Sequence, residues 1–244
     1  MLKSNNTALV LCGHGSSFDL YEQDFKKNHK MIEKIIDADC YFCFIEKNHP
    51  NIENCLRTLK EKGIETVFFF PFLLFNGEHF EKDIKTKIKE LSKGLKLEIK
   101  LIDKISLTKE VLPIVKNKIS KILKINKTNI LVTFCSGSKN PKVSLELITY
   151  TQKLAKNLNI ANAYSYFVGE ETELLTRIQN LKNQNYFLII QPIFLFKGYL
   201  QNKNLNFFKK LNDKNQQILD TLMTIDDIQT LIIEKLKSIF HITN

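Results

Sequence analysis

Among the first eighty positions, His14, Glu46 and His79 are the main candidates to hold a divalent metal ion and move a proton. A neutral imidazole offers a lone pair to a metal and accepts a proton near neutral pH. Two imidazoles and a carboxylate form a site for a divalent ion with coordination positions left open. His14 stands between two glycines in the stretch 9–18, LVLCGHGSSF, and is one of five histidines in 244 residues. Glycine on both sides lets a ligand approach the backbone closely. His79 follows Gly77 and opens a helical stretch, where the dipole of the helix start favours the neutral, metal-binding ring. His49, beside Pro50, is a minor candidate. His29 and His241 fall in helical stretches and read as surface residues.

Other chemistries lack their motifs. GHGSS is not G-x-G-x-x-G, because residue 18 is Phe, so no nucleotide is implied. It is not G-x-S-x-G, which removes a nucleophile elbow. Gly13 stands where a phosphohistidine Arg-His-Gly motif needs arginine.

The elements that must position these residues alternate. Strands are predicted over 8–12, 40–46, 65–72 and 96–102, and helices over 18–36, 50–62, 78–92 and 107–123. Pro50 stands at a helix start, and Gly63 and Gly94 at helix stops. Alternation of this kind predicts an α/β fold with a parallel sheet covered on both faces. The apolar runs VFFFPFLLF (67–75) and YFLIIQPIFLF (186–196) fit buried parallel strands and are too short to span a membrane. In an open parallel sheet ligands bind outside the carboxyl ends of the strands. His14, Glu46 and the segment 76–79 all follow such ends and can converge.

The pattern then restarts. LVLCGHGS (9–16) aligns with LVTFCSGS (131–138), and PFLLFNG (71–77) with PIFLFKG (192–198), at nearly one offset. This is an internal duplication. It predicts two domains, 1–125 and 126–244, the second with strands at 130–135, 162–168, 186–195 and 216–219, helices at 141–158, 171–183 and 225–240, and a less regular stretch at 199–214. The polar residues persist in the first half only: His14 aligns with Ser136, Glu46 with Val168 and His79 with Leu200.

Composition excludes more than it selects. Of 36 basic residues only Arg57 and Arg177 are arginine, the residue suited to bidentate phosphate and base contacts, so the net charge of +10 is not read as nucleic-acid binding. An acidic small molecule is compatible with it. Cys40 and Cys43 form a C-x-x-C inside an apolar strand, and the five cysteines read as buried free thiols. The start of the chain shows no leader pattern, and a cytoplasmic location is expected.

The stretches LVLCGHGSSF, IEKNHPNIENCL and PFLLFNGEHFEKDI resemble the class II chelatases, and among them the long, internally duplicated sirohydrochlorin chelatases. The strand-end H-G-S is matched by His14-Gly15-Ser16. The G-x-H-x-x-x-D-I motif is matched by Gly77-Glu78-His79 through Asp83-Ile84. The resemblance implies a chelatase-like fold of two tandem α/β halves facing a cleft, with one site per chain. It implies ATP-independent insertion of Co2+ or Fe2+, with Ni2+ also suitable, into sirohydrochlorin, by a monomer or homodimer. His14 and His79 carry over as metal ligands, with His14 taking the proton; Glu46 stands as a third ligand on the reading of the strand ends alone. Ser16, Asn48, Leu74, Phe75, Asn76, Gly77 and Glu78 carry over as macrocycle contacts. The alternative activity is a tetrapyrrole or metal carrier without turnover.

Overall fold

The computed structural model describes the chain except residues 1–5, 37, 76, 78, 180–184, 211–213 and 241–244, and also leaves aside the side chains of residues 79, 81, 82, 179 and 210. In the first sheet β1 (Thr7–Gly13), β2 (Asp39–Phe44), β3 (Thr66–Pro71) and β4 (Glu98–Leu101) run in the order β2-β1-β3-β4, all parallel. The second sheet repeats this with β5 (Thr128–Cys135), β6 (Asn162–Phe167), β7 (Tyr186–Pro192) and β8 (Gln216–Ile218), ordered β6-β5-β7-β8. Central β1 and β7 are buried along almost their whole length, because helices cover both faces. The edge strands β4 and β8 are short and alternate toward solvent.

Helices α1 (Asp19–Ile35), α2 (Ile52–Glu61), α3 (Lys87–Leu95) and α4 (Leu112–Ser120) follow the strands of the first repeat. α2 buries Ile52, Cys55, Leu56 and Leu59, the i, i+3, i+4, i+7 stripe of an amphipathic helix, and Asn51 caps it by accepting from the Asn54 amide at 2.8 Å. The helix expected over 78–92 is in two parts: a π-helical stretch His79–Thr86 and then α3. Gly94 lies inside α3, and the left-handed residue that ends this helix is Lys96, at φ 52°. Gly63 does take a left-handed conformation after α2.

In the second repeat α5 (Pro141–Asn157), α6 (Glu171–Gln179), α7 (Tyr199–Lys210) and α8 (Asp226–Ile239) follow their strands. The stretch read as irregular over 199–214 is therefore largely helical. Its core-facing positions are Gln201, Asn204 and Phe208, so two polar residues interrupt the apolar stripe that marks a helix in sequence. His29, expected at the surface, is buried: its Nε2 lies 3.1 Å from the Cys40 carbonyl and its ring packs edge-on against Phe42. All five cysteines are free and buried.

By packing, the chain divides into two compact units. One comprises 1–105 with 229–244, the other 106–228. The helix closing each repeat belongs to the unit built on the other repeat's sheet: within 106–228 α4 contacts α5, and within the other unit Phe240, just beyond α8, packs its ring 4.9 Å from Phe68 of β3.

The strand-to-helix turns after β1 and β5 keep one backbone form. Gly15 and Gly137 both take positive φ, 96° and 79°. Ser16 Oγ accepts from the Phe18 amide at 3.2 Å, and Ser138 Oγ from the Asn140 amide at 3.1 Å. The two turns differ in room. A Cβ on Gly15 would lie 1.8 Å from the Glu46 carbonyl oxygen, whereas one on Gly137 would meet Phe167 Cβ at 3.3 Å.

Two outcomes follow for stability. Gly137→Ala should lower Tm by about 2–6 °C, the cost of a left-handed non-glycine residue. Gly15→Ala should lower it further, because a backbone atom must move; equal shifts would contradict the contact described. For His29, burial holds the imidazole below the ordinary histidine range, with the Cys40 carbonyl partly opposing the shift. The unfolded chain protonates at about pH 6.5 and the folded chain only at lower pH, so stability is lost as pH falls through that window. Thermal melts between about pH 7.5 and 5 should show this loss, and His29→Gln should make the acid slope shallower.

Candidate functional site

All strands of the first sheet are parallel, so the carboxyl ends of β1, β2 and β3 share one edge. The turn 12–16 at that edge is fastened at almost every backbone group. The Cys12 carbonyl accepts from the Phe72 amide at 2.8 Å, the Gly13 carbonyl from Ile45 at 3.0 Å and the His14 carbonyl from Glu46 at 3.0 Å. The Gly15 amide donates to the Tyr21 phenol oxygen at 3.1 Å, and the Ser16 amide donates to Asn48 Oδ1 at 2.7 Å. Asn48 Nδ2 in turn donates to Glu22 Oε2 on α1 at 2.8 Å. Lys26, 2.6 Å from Glu22, and this amide both hold the Glu22 carboxyl below the usual range.

The glycine before His14 has a steric reason. A Cβ on Gly13 would lie 2.7 Å from the Phe25 ring and 2.9 Å from the Tyr21 hydroxyl. Phe25 packs against Tyr21, Phe42, Phe44 and Phe72, an aromatic layer directly under the turn. The glycines beside His14 thus make room for the chain itself: Gly13 for α1, and Gly15 for the β2–α2 loop.

The imidazole of His14 and the carboxylate of Glu46 come together, as their strand ends require. His14 Nδ1 lies 3.2 Å from the Gly15 carbonyl oxygen and 3.6 Å from Glu46 Oε1. Both neighbours are hydrogen-bond acceptors, which favours the tautomer with the proton on Nδ1 and the lone pair on Nε2. The two side chains are 38% and 41% exposed, open to a ligand from solvent. Beyond Glu46 a cavity of about 550 Å³ has an acidic lining, including Glu53, Asp83 and Glu90 with Lys87 among them.

His79 begins the π-helical stretch after β3, on the same edge; its side chain lies outside the described residues, as do Asn76 and Glu78 altogether. Among the described residues, no three His, Cys, Asp or Glu side chains group as a metal cage. Leu74 is buried and its carbonyl accepts from Lys104 Nζ at 2.6 Å; Phe75 and Gly77 are partly exposed in the loop. Asn48, expected against the macrocycle, has both ends of its amide engaged by the protein. His49 is exposed and joins Pro50 by a cis peptide. Among the described residues no helix is long and apolar enough to cross a membrane.

The register of the second sheet corrects one repeat pairing. The Ile45 amide donates to Gly13 and the Val168 amide to Cys135, so Val168 is the counterpart of Ile45, and Glu46 matches Gly169. One residue more separates β5 from β6 than separates β1 from β2, which the alignment of β1 with β5 cannot reveal. Sequence reasoning missed Tyr21, Glu22 and Phe25. The signal was present: their counterparts Val143, Ser144 and Leu147 lose the phenol, the carboxylate and the aromatic ring, just where Ser136 replaces His14.

The CbiX family matches residues 8–122. A sirohydrochlorin cobaltochelatase of Sulfolobus acidocaldarius is 30% identical over 128 residues, covering 50% of this chain and 96% of that protein. Another from Sulfurisphaera tokodaii is 28% identical over 116 residues, covering 48% and 93%. These relatives have the length of one half of this chain. Among solved structures, SirB from Bacillus subtilis with Fe3+ superposes with a TM-score of 0.79 at 19% identity, covering 96% of this chain and 95% of that one. The fold therefore matches along both halves, and the sequence match to the archaeal relative carries membership: the chain belongs to the CbiX family of class II chelatases.

Proposed function

We propose that the chain inserts a divalent metal, Co2+ or Fe2+, into sirohydrochlorin without ATP, and that His14 is the residue on which the chemistry turns. The observation that carries the assignment of His14 is its setting. Its Nδ1 faces a carbonyl and a carboxylate at the carboxyl edge of the sheet, and its ring is open to solvent. The activity itself is supported by family membership and by relatives named sirohydrochlorin cobaltochelatase. A structural neighbour is described as a sirohydrochlorin chelatase in complex with cobalt.

Metallation replaces two pyrrole N–H protons by one M2+ and releases two protons. A neutral imidazole suits both halves of that exchange, as a ligand for the incoming ion and as a proton acceptor. With the proton on Nδ1, the lone pair for either task lies on Nε2. Glu46 then acts through His14. A carboxylate behind the proton-bearing nitrogen orients the ring and raises the basicity of the other nitrogen, as such partners do in metal sites. This replaces the role of direct metal ligand expected for Glu46. His79, placed on the same edge by β3, is the second imidazole of the reading. The segment 74–78 supplies macrocycle contacts. Lysine-rich charge favours a substrate with eight carboxylates.

The test is the visible absorption of sirohydrochlorin mixed with the chain and Co2+, Fe2+ or Ni2+ in parallel. His14→Ala should reduce kcat by about 10²–10⁴-fold, and His79→Ala should also lower it strongly. Glu46→Gln keeps an acceptor and loses the charge, and should cost about tenfold. Full rates in both histidine variants would refute the site. Tight stoichiometric binding with no rate above the spontaneous one would favour a carrier instead.

A further inference from the structure

We propose that Tyr21 and Asn48 are positioning residues for His14: one phenol and one carboxamide hold the turn that aims the imidazole. The proposal rests on the functional reading above for its link to turnover, and on geometry for the rest.

In the turn 13–16 the backbone amides of Gly15 and Ser16 are met by side chains and not by a strand partner. Side chains satisfy both: the buried Tyr21 hydroxyl at 3.1 Å and Asn48 Oδ1 at 2.7 Å. Tyr21 comes from α1 and Asn48 from the β2–α2 loop. Asn48 then ties that loop back to α1 through Glu22. An imidazole on a flexible glycine-flanked turn would sample many positions. A turn pinned at consecutive amides holds the ring near its carboxylate partner.

The duplication supplies an internal control. The second repeat keeps the parts that make the turn, Gly137 with positive φ and the Ser138 hydroxyl bond. It lacks the parts that would pin it around a histidine. Tyr21 becomes Val143, Phe25 becomes Leu147, and Gly13 becomes Cys135, a side chain that a phenol and a phenyl ring there would exclude. By the strand register Asn48 matches Glu171, whose carboxylate is turned to the Gly169 amide at 2.9 Å and to Asn204 at 3.0 Å. Histidine, phenol and carboxamide are present together in one repeat and absent together from the other. The second turn closes without them, its Gly137 amide meeting the Cys135 thiol in place of a phenol.

Tyr21→Phe keeps the ring and removes the acceptor; Asn48→Ala removes the clamp. Each should lower kcat about 10- to 100-fold, as sub-ångström to ångström misplacement of a reacting group does, with KM for sirohydrochlorin changed less than about twofold. Asn48→Asp alone sets two carboxylates face to face and should also be slow. Asn48→Asp combined with Glu22→Gln reverses donor and acceptor between the pair, keeps an acceptor for Ser16, and should recover most of the rate. Amide hydrogen exchange reads the same proposal without turnover. Tyr21→Phe should deprotect Gly15 and Asn48→Ala should deprotect Ser16, with Tm near that of the unaltered chain. Unchanged protection of these amides would overturn the proposal, and so would full kcat in the deprotected variants. An unaltered chain that metallates nothing would instead refute the proposed function, and the exchange result would still decide the positioning.

Discussion

The first half of the molecule is organised around one short ladder, the pair of hydrogen bonds from the Ile45 and Glu46 amides to the Gly13 and His14 carbonyls. They extend the β1–β2 pairing two residues beyond the end of β2 and one beyond the end of β1. That extension brings the Glu46 carboxylate to 3.6 Å from His14 Nδ1. It forces glycine at 15, because the Glu46 carbonyl occupies the space a Cβ would need. It also delivers Asn48 to the Ser16 amide, which closes the β2–α2 loop over the turn. Charge, tautomer and loop shape thus descend from a continuation of ordinary strand pairing.

The duplicated half shows which of these features the fold itself requires. The second sheet extends its central pairing by the same first step, Val168 to Cys135, and keeps the left-handed glycine and the serine of the turn. Those are conditions for leaving a buried parallel strand and entering a helix. The aromatic layer of Phe25, Phe42, Phe44 and Phe72 beneath Gly13 belongs to the first half, where it gives the His14 turn a rigid floor. The second half instead buries polar groups, among them Thr133, Gln191, Gln201 and Asn204, in helix–sheet packing.

Much of this was legible in the sequence because parallel strands buried on two faces read as unbroken apolar runs. The order of strands and helices follows from those runs, as does the common edge of His14, Glu46 and His79. What failed failed for local reasons. α7 carries no helical stripe in the sequence because Gln201 and Asn204 sit where apolar residues would mark a core-facing face. His29 was read as exposed because nothing in sequence reveals the Cys40 carbonyl that lets a polar ring enter the core. The boundary near 125 marks the repeat, while the packing of the helices that close each repeat is a tertiary choice without a local signal. The flanking glycines were given to a ligand because the neighbours that crowd them, Phe25 and Glu46, are distant in sequence. Asn48 was assigned to substrate for a similar reason: a polar loop residue looks available until both ends of its amide are seen to be engaged.

The central claim is that metal chemistry resides at the edge of the first sheet, on His14, and not at the matching edge of the second. Anomalous diffraction at the cobalt edge from crystals soaked in Co2+ tests it directly. The account predicts a peak within coordination distance of His14 Nε2, abolished by His14→Ala, and none at Ser136. A peak at the second edge, or one that persists unchanged when His14 is removed, would contradict it.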